Sequence, residues 1–264
     1  MLTSTFRRHV FVANTVAARC DLMGVWQEEK TFKPERYAND VADEEVIQRH
    51  FAARDASEEQ YFAAAGEVRV AAGALCRRVP GGQCNDAAEV ALMESARPDV
   101  VLVFGTGILR EPLLSAFEGR IINIHLGLSP YYRGAGTNFW PLVNREPEYV
   151  GATIHYLDAG IDTGPILSHA RPRIEPGDGP HDIGNKTIVA AADMLIRAAA
   201  AHVEGTVQPV PQWKAGRLYQ RKDFNADAVR ALYRNFETGM IDEYLAARAA
   251  RDAALRLIET ERAA

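Results

Sequence analysis

The chain has 264 residues, of which 47% are hydrophobic and 25% charged, with a formal net charge of −5. That is the make-up of an ordinary globular protein with a full core, and a net negative charge provides no basic field for a nucleic-acid backbone. No stretch approaches the roughly 20 apolar residues of a bilayer span, and Arg7, Arg8 and His9 stand where a secretory signal would be apolar. A cytoplasmic protein without a membrane or nucleic-acid partner is expected.

The three cysteines, Cys20, Cys76 and Cys84, form no C-x-x-C pair, so neither a disulfide framework nor a zinc ribbon is predicted. Apolar spacing from Phe6 to Ala18 predicts a helix that Thr3, Ser4 or Thr5 would cap, and capping residues at a helix start can also receive an anion. Leu22 to Trp26 reads as a short strand, 30–40 as loop, and Asp40 to Ala65 as helix. Pro80-Gly81-Gly82 marks a turn, and Asn85 or Asp86 would cap a helix that ends before Pro98. Asp99 to Gly105 holds a continuous apolar run, the pattern of a central parallel strand covered on both faces. Its end at Gly105-Thr106-Gly107 falls where open α/β sheets bind ligands.

A short helix is predicted near Pro112 to Phe117, then a strand from Arg120 that ends in Asn123-Ile124-His125. The loop 127–136 leads to a helix over 138–145. Gly151 to Leu157 and Pro165 to Ile174 read as the two arms of a hairpin, Gly184 to His202 as a long helix, and 206–222 as a small closing hairpin. From Phe224 onward, Val229, Leu232, Tyr233, Ile241, Tyr244, Leu245, Leu255 and Ile258 recur on a charged background. The pattern is a helical appendage whose apolar stripe must be covered by the body of the chain or by a second copy in a homodimer. The division expected is 1–205 as a catalytic domain and 206–264 as a C-terminal hairpin and helical extension.

Asn123 and His125 are separated by one residue, so on a strand they share a face while Ile122 and Ile124 take the other. Some 37 residues on, Asp158-Ala159-Gly160-Ile161-Asp162-Thr163-Gly164 is a turn that follows the strand carrying Thr153 and His155. Taken singly, Asn123 fits a strand-end cap, His125 a core histidine and Asp162 a turn residue. Taken together, an amide, an imidazole and a carboxylate at neighbouring strand ends form a set suited to acyl transfer.

Asn123-Ile124-His125, Ser129-Pro130, Arg133-Gly134, Thr153-Ile154-His155 and the 158–164 turn occur in an order and with gaps that resemble the 10-formyltetrahydrofolate-dependent formyltransferases. That family includes the glycinamide ribonucleotide, methionyl-tRNA and sugar-nucleotide enzymes. The resemblance covers roughly residues 85–190, with a weaker echo before them. It implies a Rossmann-like α/β fold with a mostly parallel twisted sheet flanked by helices. It also implies Asn123, His125 and Asp162 as catalytic residues, and 10-formyltetrahydrofolate as co-substrate with no metal. Phe104, Gly105, Thr106, Gly107, Ile108 and Leu109, with Asp158, Ala159, Gly160 and Ile161, would line the folate pocket. Arg133, Thr153 and His155 would stand near the substrate or behind the catalytic set.

Two departures from the pattern stand out. Met1 lies almost on the loop that in the family follows a complete first strand, so either that strand is abbreviated or the true start lies upstream. Gly127 alters the loop after the histidine and would add backbone freedom there. The expected activity is formyl transfer to a small amine, a nucleotide-linked amino sugar being the first candidate. Methionyl-tRNA as acceptor, a formyltetrahydrofolate hydrolase and a binding protein without chemistry are the alternatives.

Overall fold

The computed structural model describes residues 1–158, 160, 162–214 and 216–259. Seven strands form the main sheet: β1 (Leu2–Ser4), β2 (Gly24–Glu29), β3 (Leu75–Pro80), β4 (Val101–Val103), β5 (Ile121–His125), β7 (Ala152–Tyr156) and β8 (Ile166–Ala170). Their order is β3-β2-β1-β4-β5-β7-β8. The first five run parallel, and β7 is antiparallel to both β5 and β8. A two-stranded parallel ribbon joins β6 (Tyr132–Gly134) to β9 (Arg217–Tyr219).

Alternation along the strands builds two apolar layers. Leu102, Ile122, Ile124 and Ile154 face α1 (Arg7–Ala17) and α6 (Pro180–Val203), where Val12, Val16, Ala191 and Leu195 cover them. Leu2, Val101, Val103 and Ile121 face the opposite way, onto α3 (Ala87–Ser95) and α4 (Leu113–Ala116) through Val90, Met93 and Leu113. A parallel sheet covered on both sides explains why the middle strands read as unbroken apolar runs. This is the α/β arrangement expected, with β1 present but three residues long at the centre of the sheet.

Thr3, Ser4 and Thr5 do not cap α1, whose N-cap is Phe6 without a side-chain bond. The Thr3 hydroxyl instead donates to the Phe104 carbonyl at 2.9 Å, and the Ser4 hydroxyl pairs with His9 Nδ1. Asp86 is the N-cap of α3, likewise without a side-chain bond. The closing hairpin over 206–222 does not form: Val210 bridges antiparallel to Ile166, and β9 leaves to pair with β6.

The helical tail consists of α7 (Ala226–Glu237), α8 (Met240–Ala246) and α9 (Arg248–Ala253). Leu232, Met240, Ile241 and Tyr244 bury against Leu142, Val150, Ile174 and Ile183 of the same chain. Leu255 and Ile258 do not continue a helix. The chain there is neither helix nor strand, and the Ile258 backbone exchanges hydrogen bonds with His169, its carbonyl taking the backbone N–H at 2.7 Å and its own N–H reaching Nδ1 at 2.9 Å. No helix among the described residues is long and apolar enough to cross a membrane.

Candidate active site

Strands β1, β4 and β5 end side by side, and beyond their carboxyl ends lies a cleft of about 840 Å³. Phe104, Gly105, Thr106, Gly107, Ile108 and Leu109 form one wall, with Leu157, Asp158 and Gly160 opposite and Asn123, His125 and Asp162 at the base. Ala159 and Ile161, also expected here, lie outside the described residues.

Register places the polar set. Asn123 pairs with His155 and His125 with Thr153 across the β5–β7 ladder. Directly opposed residues on one face meet, and Asn123 Nδ2 lies 3.1 Å from His155 Nε2. His155 Nδ1 is 2.8 Å from the Tyr156 carbonyl and must donate there, so Nε2 is bare and accepts from Asn123. This fixes the amide and leaves its second N–H without a partner among the described residues. Burial, reinforced by the neighbouring His125, lowers the His155 pKa to about 4, which keeps it a neutral acceptor at physiological pH.

Asp162 reaches the set from the turn after β7, with Oδ1 at 3.3 Å from His125 Nδ1 and 4.0 Å from His155 Nε2. Burial pushes its carboxyl up, but the hydrogen bond and charge of His125, the nearby His155 and the Gly134 N–H outweigh that and hold it below the ordinary carboxylate range. Its φ of 52° is left-handed, a conformation that costs a non-glycine residue energy and that accumulates at functional sites. The turn is braced by Asp158, which accepts from Gly160 N–H and the Thr163 hydroxyl, and by Gln212 Nε2, which donates to the Asp162 carbonyl at 2.7 Å.

Thr153 and Arg133 are placed differently from the cleft residues. Thr153 is fully buried; its hydroxyl donates to the Gly127 carbonyl at 2.6 Å and accepts from Ser129 N–H at 2.8 Å, so it clamps the loop after His125. Arg133 is not among the residues lining the cleft, and its Nε is buried without a partner among the described residues. Gly127 is not in the left-handed region, so conformational freedom does not explain it. A Cβ there would stand 2.6 Å from His125 Nε2 and 2.5 Å from Thr137 Cβ, so glycine supplies space for the imidazole.

Several residues of the site escape a sequence reading. Glu28, buried at the end of β2, accepts from Gly107 N–H at 2.5 Å and Gly82 N–H at 2.9 Å, and so pins the 104–109 wall. His9 lies edge-on to Phe104 at 4.7 Å, and a Cβ on Gly105, whose φ is 77°, would strike the His9 ring. These contacts leave no signal in spacing, because they join segments roughly 50–100 residues apart.

Residues 30–199 match the model of the family described as formyl transferase. That span is well over half of the chain. The chain belongs to the formyl transferase family. Among curated relatives, the methionyl-tRNA formyltransferase of Synechococcus sp. (strain JA-3-3Ab) is 31% identical over 153 residues, covering 56% of this chain and 47% of the relative. That of Solibacter usitatus (strain Ellin6076) is 35% identical over 117 residues, covering 44% and 37%. The chain thus spans about half or less of the length of these relatives. In fold it is similar to a sugar N-formyltransferase from Shewanella sp FDAARGOS_354, with 20% identity and a TM-score of 0.54 over 84% of this chain and 76% of that one. It is also similar to a phosphoribosylglycinamide formyltransferase from Anaplasma phagocytophilum, with 16% identity and a TM-score of 0.53 over 83% and 97%.

Proposed function

We propose that this formyl transferase family member moves a formyl group from 10-formyltetrahydrofolate to the amine of a small molecule, with a nucleotide-linked amino sugar as the first candidate. The observation that carries this reading is the meeting of Asn123, His125 and Asp162 at the carboxyl rim of β5, with the imidazole and carboxylate 3.3 Å apart. The cleft beside them fits a folate: its volume is in the range of cofactor sites, and its wall joins apolar Phe104, Leu109, Leu114 and Leu157 to backbone polar groups. The folate, when bound, supplies a formyl group on a nitrogen that departs readily.

The protein's own part follows from its donors. The Asn123 N–H not used by His155 would donate to the formyl oxygen as it gains charge during attack by the amine. His125 Nε2 is held loosely, 3.4 Å from the Tyr132 carbonyl and 3.3 Å from Thr137 Oγ1; with Nδ1–H given to the Asp162 carboxylate, the ring in its imidazolium form donates Nε2–H to that same oxygen. Asp162, ionised at neutral pH, orients the imidazole through Nδ1 and helps carry the proton that the amine sheds, directly or through one water, to the folate nitrogen as its bond to the formyl carbon breaks. Hydrogen-bond donors serve the developing oxyanion, so no step calls for a metal.

Sequence similarity to tRNA-modifying relatives supports methionyl-tRNA as a second acceptor. The test is incubation with 10-formyltetrahydrofolate and, in turn, a nucleotide-linked amino sugar, glycinamide ribonucleotide, a basic amino acid and methionyl-tRNA, followed by mass spectrometry for a gain of one formyl group. A formylated sugar amine supports the first reading and formylated methionyl-tRNA replaces it. Formate release that no amine accelerates points to hydrolysis and contradicts both.

A further inference from the structure

A row of side chains runs from His125 to the far edge of the sheet. His125 on β5 stands opposite Thr153 on β7, and Thr153 opposite His169 on β8, so the three share one face. Thr153 and His169 hold the two backbone groups of one residue, Ser129, in the loop that follows His125. The Thr153 hydroxyl oxygen accepts from the Ser129 N–H at 2.8 Å, and His169 Nε2 lies 2.8 Å from the Ser129 carbonyl. A carbonyl only accepts, so Nε2 carries the hydrogen and Nδ1 is bare. Nδ1 takes the Ile258 N–H at 2.9 Å, while the Ile258 carbonyl takes the His169 backbone N–H at 2.7 Å. Burial lowers the pKa of this ring to about 4, so it stays neutral at physiological pH.

Ile258 belongs to a short strap, 255–258, that follows α9. Arg251 Nη2 fastens that helix to Glu148 at 2.5 Å and to the Arg145 carbonyl at 2.8 Å. Two residues before Ile258, Tyr131 OH takes the Arg256 N–H at 2.9 Å and donates to the Arg256 carbonyl at 3.2 Å. Leu255 and Leu257 alternate with these contacts and pack on the cluster of Leu128, Tyr131, Tyr132 and Trp140. The strap is therefore gripped through its backbone at every second residue, by Tyr131 from the loop after His125 and by His169 from behind it.

β8 is the last strand of the main sheet, and a segment laid on an edge strand is ordinarily a cover. A cover needs backbone contacts alone. Here the His169 imidazole also ties the strap to Ser129, and the loop it holds has no slack toward His125, since a Cβ on Gly127 would stand 2.6 Å from the imidazole Nε2. None of residues 255–258 lines the cleft, so the strap acts on it only through the loop.

We infer that the 255–258 strap positions the loop after His125, with His169 as the positioning residue that transmits its hold, so that this C-terminal segment sets the placement of the imidazole and with it the turnover rate. The consequence for turnover rests on the proposed formyl transfer; the hold of the strap on the loop does not.

Ile258→Pro removes the one N–H that His169 Nδ1 accepts, and it lies in the partly exposed strap, away from the body of the fold. A chain ending at Ala254 removes the strap altogether, and a peptide of residues 255–264 added in excess offers it back. The first readout needs no acceptor: with isotope-labelled histidine, the His125 ring signal, identified by its loss in His125→Gln, is followed by NMR with tetrahydrofolate bound. The second is steady-state formyl transfer from 10-formyltetrahydrofolate to a uridine-diphosphate-linked amino sugar. Both altered chains should move the His125 signal and lower kcat by about 10-fold, as a slightly misplaced catalytic group does, with tetrahydrofolate affinity and acceptor KM within about 2-fold of wild type. The peptide should restore signal and rate in the shortened chain, and the same peptide carrying Ile258→Pro should not. If the shortened chain does not fold, Ile258→Pro decides alone. An unmoved His125 signal in Ile258→Pro overturns the inference, and so does a loss of tetrahydrofolate binding in step with kcat, which would make the strap structural support only. A moved signal in a protein that formylates no amine leaves the strap's hold standing and removes the proposed activity. Formylation at wild-type kcat in both altered chains keeps the activity and removes the positioning role.

Discussion

At Gly127 the size of a single hydrogen decides whether His125 can keep its place. A methyl group there would overlap the imidazole edge, 2.6 Å from Nε2. Gly127→Ala should therefore displace the ring from Asp162 and lower kcat by about 10-fold or more, the scale of a misplaced catalytic group, while tetrahydrofolate affinity holds. Steady-state kinetics beside a folate titration checks this, and an unchanged kcat contradicts it. Asn123 and His125 were legible in the sequence because alternation on a strand is a local rule, and Asp162 because its turn has a recognisable pattern. The crowding at Gly127 was not, since Thr137 and the folded-back imidazole create it only in three dimensions. Thr153 shows the same limit: the resemblance set it near the substrate or behind the catalytic set, and only the fold shows its hydroxyl spent on the loop backbone.

At the scale of elements, β2 reaches three residues further than its apolar pattern predicts, and those added residues matter. Its end carries Glu28 into the 104–109 wall, where one carboxylate holds two backbone N–H groups. Glu28→Gln keeps the shape but exchanges one acceptor oxygen for a donor facing an N–H. It is expected to loosen the wall and weaken tetrahydrofolate binding by about 10-fold, with the acceptor KM much less affected, since a hydrogen bond to a charged group contributes about 1.5–3 kcal/mol. Equal weakening for folate and acceptor would point instead to general unfolding. The central strands and α6 were readable from composition and period. β3 and β6 were not: β3 is an edge strand with alternating exposure, and the three-residue β6 exists through its pairing with β9, whose Arg217-Leu218-Tyr219 reads as strand-like but without showing its partner. Pairing between residues 132–134 and 217–219 has no local signature, which is why the 206–222 segment reads as a hairpin and folds otherwise.

For the molecule as a whole, buried imidazoles set the response to acid. Burial, named first for each, lowers His50 to about 3 and His155, His169 and His181 to about 4 from an ordinary 6.5. The unfolded chain therefore takes protons first as pH falls, so stability declines from about pH 6.5 toward pH 4, by about 1.4 kcal/mol per pH unit for each histidine. Asp162, with its carboxyl held low, adds stability above the ordinary carboxylate range and loses it below, so both effects weaken the fold in acid. Urea denaturation should show several kcal/mol less stability at about pH 5.5 than at about pH 7.5, and equal midpoints would contradict the burial of these rings. The most direct test of the catalytic set is single-turnover formyl transfer by the wild type, His125→Ala, Asp162→Asn and the double variant. Each single change should cost at least about 10²-fold with tetrahydrofolate still bound, and the double variant should be little worse than the singles, because the pair acts as one unit. Wild-type rates in either single variant would show that the reaction does not run through this pair.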